Sequence, residues 1–236
     1  MTTSSTQIPL QMRREDLASW ENWLSRPETS ALEQLLVAEP FPEHGAYLWG
    51  PGGMGKSHLL QACCEAHGHH ARYVPLREFG GFPPDKVLAG AETARVIALD
   101  DVDTIAESRV WQEGLFGFFN LCEESGARLL VTASAAPQQL ADMLPDLRSR
   151  LSSLPVFQMP HFSEEQIADL LRLRGEAIGL QLSEDVMRYC SVRLTRNPQR
   201  VVSFVNALDQ LSLAQRRAVT VPFVRESGLL HLATGE

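Results

Sequence analysis

The sequence predicts an α/β protein, a parallel sheet flanked by helices and followed by a small all-helical unit. Three observations carry that prediction. Short apolar runs at 46–49, 72–76, 96–99 and 128–132 are bounded by turn residues and spaced by helical stretches, as in sheets buried on both faces. A glycine-rich loop, Gly50 to Ser57, joins the first run to a helical stretch. Beyond Pro160, the segments 164–177, 184–192, 199–214 and 222–230 keep a helical spacing of apolar residues with no strand pattern between them. The chain divides into an arm at 1–28, a sheet unit at 29–160 and a helical unit at 161–236.

The 236 residues suffice for a sizeable core. A formal net charge of -8 opposes tight binding to a polyanion, so a protein is the expected macromolecular partner and direct sequence-specific DNA binding is not expected. Four cysteines without CxxC spacing read as buried thiols in a reducing compartment. With no apolar leader and no run long enough to span a bilayer, the expected place is the cytoplasm, away from any membrane.

In chain order, 1–28 reads as a tail with an apolar island at 7–12, then an arm carrying Trp20 and Trp23, aromatics that either cover the core edge or lie against a base. From Thr29, Leu32, Leu35 and Leu36 recur at helical spacing until Pro40 and Pro42. The loop that follows the first strand, Gly50, Pro51, Gly52, Gly53, Met54, Gly55, Lys56, Ser57, fills every position of the pattern GxxxxGK[ST]. Glycines let successive backbone N–H groups turn inward as an anion nest, the helix behind adds its positive end, Lys56 reaches the outer phosphates, and Ser57 is placed to hold Mg²⁺. His58 follows on that helix, so ATP or ADP with Mg²⁺ is the expected ligand.

The strand at 96–99 runs into Asp100 and Asp101. A carboxylate at the C-terminal edge of a buried strand sits where Mg²⁺ and its water lie beside the phosphates; Asp100 is the metal-side group and Asp101 the one placed to orient an attacking water. The strand at 128–132 leads to Thr132 and Ser134, which either touch the γ-phosphate or merely cap the strand end. Arg148 and Arg150 diverge around a helix, so one of them is structural; the other is either a surface ion pair or a finger for a neighbouring nucleotide.

Taken in this order, the motifs resemble those of AAA+ ATPases of the DnaA group, over residues 17 to 230, and within it the Hda-type regulators of replication initiation. The matching runs are 7–12, 47–50, 57–61, 73–76, 144–147, 149–151 and the ending 208–211, 214–216 and 221–224. That resemblance implies a P-loop sheet domain with a helical lid, and an action in trans: a nucleotide-bound regulator, held on the DNA-loaded sliding clamp (the β subunit of DNA polymerase III), promotes hydrolysis of ATP on DnaA. It gives Gln7, Ile8, Leu10 and Met12 to clamp binding and the arginine finger to Arg150. A homo-oligomer is among the arrangements it allows. Two positions depart from the pattern. Ser134 stands where DnaA has Asp, implying weak hydrolysis at this chain's own site, and the lid arginine is expected at Arg200 although the pattern aligns nearer Gln199. DnaA carries a helix-turn-helix domain after its lid, and a chain ending at Glu236 leaves no room for one, which sets the expectation apart from an origin binder. ADP is the expected working ligand. The alternatives are a self-sufficient ATPase of helicase-loader type and a non-catalytic adaptor for clamp and DnaA.

Overall fold

The computed structural model describes residues 18–39 and 44–230. Alternation of strand and helix produces a five-stranded, all-parallel sheet in the order β2-β3-β4-β1-β5, with β1 Gly45–Trp49, β2 Ala71–Pro75, β3 Val96–Asp100, β4 Arg128–Ala133 and β5 Val156–Gln158. The register sets Ala46 beside Leu130 and Ala98 beside Leu130 across the middle of the sheet. Every residue of β3 is buried, which explains why the run Val96, Ile97, Ala98, Leu99 shows no alternation: both faces are covered.

Helix α1 (Ser30–Val37) and helix α2 (Lys56–His67) cover one face, where Leu32, Leu36, Leu59, Leu60 and Cys63 meet Leu48 and Ala98. Two short helices, α3 (Leu76–Phe79) and α4 (Pro84–Val87), lead to the long α5 (Arg109–Ser125), which with α6 (Pro145–Ser153) covers the other face through Trp111, Leu115, Phe118, Leu147 and Leu151. Helix α1 ends at Val37, while Pro40 and Pro42 lie outside the described residues. The fifth strand was not legible in the sequence pattern. It is three residues long and only half covered, yet Pro155 and Pro160 bracket it and its β-branched and aromatic residues suit a short edge strand.

The helical unit contains α7 (Glu164–Ile178), α8 (Glu184–Ser191), α9 (Pro198–Gln215) and α10 (Val221–Ser227). Serine or threonine side chains cap three of them, with Ser163, Ser183 and Thr220 accepting from backbone N–H groups of the first turn. The apolar stripes close into a separate core that includes Ile167, Leu171, Val186, Val201, Val205, Leu208 and Val224. All four cysteines are free, and burial pushes the Cys63 thiol up to about 11, so it behaves as an apolar side chain at neutral pH.

The arm joins the two units. Glu33 on α1 gathers it by accepting from Trp23 Nε1 at 2.8 Å, Ser25 Oγ at 2.5 Å and Thr29 Oγ1 at 2.6 Å. Arg26 reaches the crossing between the units, donating to the Pro160 carbonyl at 3.3 Å and lying 3.8 Å over the Phe162 ring.

Candidate nucleotide site

Parallel strands place their C-terminal ends at one edge, and that edge holds the functional residues. Strand β1 delivers the glycine loop, β3 delivers Asp100 and Asp101, β4 delivers Thr132 and Ser134, and β2 delivers Arg77. The cleft above them has a volume of about 540 Å³ and is walled by the glycine loop from Gly52 to Ser57, by His58 and Asp101, by the arm through Asn22 and Trp23, and by the lid through Leu170, Arg174, Gln199 and Val202. A volume of that order suits a small organic ligand.

The loop has the backbone that an anion nest requires. Gly53 and Gly55 hold φ of 79° and 91°, left-handed values that side-chain-bearing residues avoid. Lys56 Nζ donates to the Gly50 and Pro51 carbonyls at 2.7 and 2.9 Å. Burial pushes the Lys56 ammonium below its ordinary range, while the carboxylates of Asp101, Asp100 and Asp103 draw it back up. His58 donates from Nε2 to the Ser19 carbonyl at 3.2 Å and, chiefly through burial, is displaced toward its neutral form. It therefore ties the arm to α2.

Asp100 is buried at the end of β3. Its Oδ2 accepts from Tyr73 OH at 2.6 Å and its Oδ1 from the Thr132 hydroxyl. Both oxygens of Asp100 thus accept from hydroxyls and Asp100 does not line the cleft, whereas Ser57 does; carboxylate and hydroxyl are the hard oxygen donors that suit Mg²⁺, which keeps several of its waters. Thr132 is the connecting residue, since its Oγ1 also accepts the Asp101 N–H at 2.8 Å. Its hydroxyl therefore braces the acidic pair from β4.

Three expected residues stand differently. Arg200 is exposed and does not line the cleft. Pro198, Gln199, Val202 and Ser203 take that face of α9, and Arg200, two residues after Pro198, is about 200° round the helix. The lid arginine at the cleft is Arg174 on α7, 4% exposed. A signal for it existed: Ile167, Leu170, Leu171 and Arg174 share one helical stripe, so the charge interrupts an apolar face. Ser134 is turned away from the cleft lining, and its Oγ donates to Asp103 Oδ2. Arg150 stands outside the cleft, on α6 against α5, where its guanidinium donates to Glu123 at 2.8 Å and to Asn120 at 2.9 Å. Gln7, Ile8, Leu10 and Met12 lie outside the described residues.

Sequence reading also passed over the joint between lid and loop. Asn197 caps α9, and its Nδ2 donates to the Gly52 carbonyl at 3.1 Å, while the Gln199 N–H reaches the Gly53 carbonyl at 3.3 Å. A Cβ on Gly53 would come within 2.4 Å of Asn197 Oδ1. Gly53→Ala is therefore expected to push the lid off the loop and to cost about 1–2 kcal/mol for its left-handed backbone, read as a lower urea midpoint together with weaker nucleotide binding in a titration.

Comparison with known proteins agrees with this geometry. Residues 164–227 match the family model of the Hda lid domain, and residues 90–155 match that of the bacterial DnaA ATPase domain. Domain III of the replication initiation protein DnaA from Thermotoga maritima superposes with a TM-score of 0.76 at 22% identity, covering 90% of this chain and 95% of that one. AMPPCP-bound DnaA from Aquifex aeolicus gives 0.70 at 17% identity over 82% of this chain and 65% of that one. The Holliday junction branch migration motor RuvB of Thermotoga maritima gives 0.71 at 12% identity over 89% and 71%. The sheet, the glycine loop and the lid thus make one AAA+ fold, in which residues 90–155 match the bacterial DnaA ATPase domain and residues 164–227 the Hda lid domain.

Proposed function

We propose that this chain is a nucleotide-bound regulator of bacterial replication initiation that promotes hydrolysis of ATP held by DnaA, acting with the DNA-loaded sliding clamp in the cytoplasm. The observation that carries the reading is the position of Arg150. It is outside the chain's own cleft and half-exposed, its side chain 37% accessible. Such an arginine cannot serve its own nucleotide, whereas a docked partner's γ-phosphate can meet it. The Glu123 carboxylate and the Asn120 carbonyl hold the guanidinium at rest, and an exposed pair of this kind opens at little cost.

The chain's own site supplies the platform. Backbone N–H groups of the glycine loop and Lys56 bind the phosphates of ADP or ATP, Ser57 and Asp100 would hold Mg²⁺, and Asp101 orients a water. Mg²⁺, when bound, neutralises phosphate charge. Trp23 and Leu170 line the cleft from the arm and the lid, so a bound nucleotide ties together all three parts of the chain and steadies the face that carries Arg150. Arg150 then places a positive charge where negative charge builds on the equatorial oxygens of the partner's γ-phosphoryl group.

The test is single-turnover hydrolysis of ATP on DnaA, with and without the DNA-loaded clamp. Removal of residues 1 to 12, which contain Gln7, Ile8, Leu10 and Met12, is expected to abolish clamp binding and clamp-dependent stimulation while leaving the affinity for ADP unchanged. Stimulation that survives the removal undiminished would take the clamp out of the account.

A further inference from the structure

A second concave surface, of about 300 Å³, shares no lining residue with the nucleotide cleft. Strand β2 gives it one wall, and the chain that follows through α3 and α4 gives it the other. Val74, Phe79, Phe82 and Val87 line it, together with the cations Arg72 and Lys86. Strand β2 ends the sheet and pairs with β3 on one side. Among the described residues, its outer row of backbone N–H and C=O groups therefore has no strand to bond.

Open strand edges invite pairing, and charge or proline blunts them. Arg72 and Pro75 do so on β2, yet beside them Phe79 and Phe82 stand 39% and 59% exposed, their ring centroids 6.3 Å apart. Those rings are also held in place. The Phe82 N–H donates to the Phe79 carbonyl at 2.9 Å, the Gly80 N–H to the Leu76 carbonyl at 2.7 Å, and Trp111 Nε1 to the Gly80 carbonyl at 2.8 Å. Trp111 is itself packed in the core of the sheet. A turn pinned at three points presents both rings ready-made, so little ordering is left for a partner to impose.

We propose that the open edge of β2 and this groove form a docking site for an extended acidic peptide of another protein, which adds to the sheet as a further strand. Main-chain hydrogen bonds to β2 attach the peptide, and its alternate apolar side chains pack on Phe79, Phe82 and Val87. Charge selects this occupant. Arg72 and Lys86 are exposed and line the groove, whereas the neighbouring acids Glu78 and Asp85 do not. Lys86 lies 3.8 Å from Asp85, with both side chains exposed, and such a pair gives way at little cost. Two copies of this chain joined edge to edge about a two-fold axis would set the cations against each other. The chain's own apolar island at 7–12 is followed by Arg13 and Arg14, so it meets like charge. Single-stranded nucleic acid suits aromatic rings and cations, but it has no use for a strand edge, and a net charge of -8 opposes it.

The test titrates the full-length chain into fluorescein-labelled acetyl-Glu-Val-Glu-Val-Glu-Val-Glu-amide, read by anisotropy, with hydrogen exchange followed on the complex. The same peptide with lysine for glutamate, and an oligothymidylate, are titrated in parallel. The glutamate peptide is expected to bind and to slow exchange at 71–74. Phe82→Ser, and Arg72→Glu combined with Lys86→Glu, are each expected to weaken it at least about tenfold while unfolding within a few degrees of wild type. The charge-reversed variant is expected to bind the lysine peptide instead, a gain that a damaged fold cannot give. Absence of binding by the glutamate peptide overturns the proposal, as does binding that leaves exchange at 71–74 unchanged or that the lysine peptide matches on wild type. Oligothymidylate bound more tightly than the peptide, and lost in Phe82→Ser, overturns it in favour of nucleic acid. A dimer of the peptide-free chain in sedimentation that Phe82→Ser abolishes overturns it in favour of a second copy.

Discussion

Arg150→Ala is expected to lower the stimulated rate of hydrolysis of DnaA-bound ATP by about 10³-fold, the lower end of what an arginine finger contributes. The side chain's resting contacts are with Glu123 and Asn120 on α5, at the protein surface. Loss of such an exposed pair costs roughly 0–1 kcal/mol of stability, so the variant is expected to unfold within a few degrees of wild type and to bind its own nucleotide normally. That separation gives the prediction its force. Arg150→Lys is expected to recover little, because an ammonium cannot reproduce the planar fork that meets two phosphate oxygens. Phosphate release from preloaded DnaA, followed after mixing with each variant, reads the effect. A rate for Arg150→Ala equal to wild type would return Arg150 to the role of a surface ion pair.

Lys56→Ala carries the second large effect and acts at the other end of the mechanism. Lys56 is 6% exposed, and its ammonium rests on the Gly50 and Pro51 carbonyls, inside the loop. When phosphate enters, it exchanges those neutral acceptors for charged oxygens. Hydrogen bonds to charged groups contribute roughly 1.5–3 kcal/mol each, so losing two weakens ATP and ADP binding by about 100-fold or more. Titration of either nucleotide reads this directly. Because nucleotide ties arm, loop and lid together, the same variant is expected to lose stimulation of DnaA even though Arg150 is intact. Nucleotide binding within a few-fold of wild type would mean that the glycine loop is a structural turn.

Much of this was legible in the sequence because its signals are local. The strand at 96–99 and the acids behind it, the eight-residue glycine loop and the periodic helices after Pro160 each specify their structure within a few residues. The fifth strand escaped because a three-residue edge strand gives no period to read, and Pro155 and Pro160 were its only brackets. What the sequence missed is defined by contact across the fold: the partners of Thr132, which it named only for its strand-end position, and the residues Asn197 and Arg174. Thr132 matters because β4 neighbours β3, which brings its hydroxyl between Asp100 and Asp101. Asn197 matters because α9 starts above the glycine loop, more than a hundred residues distant in sequence. Arg174 and Arg200 show the same limit within one domain. Both lie on lid helices, and which of them faces the cleft depends on the rotation of α7 and α9 about their axes, set by the packing of Ile167, Leu171, Val201 and Val205 in the lid core. Ser134 was read from its position in a pattern, whereas its side chain is committed to Asp103.

The most direct test of the central claim loads γ-labelled ATP on DnaA alone and ADP on this chain, combines them with DNA-loaded clamp, and follows labelled phosphate through a single turnover. Release is expected to accelerate only when this chain carries Arg150 and the clamp is present, with all labelled phosphate deriving from the DnaA-bound nucleotide. Label released at the rate of DnaA alone, while this chain hydrolyses ATP supplied to its own site, would contradict that claim and make the protein a self-sufficient ATPase.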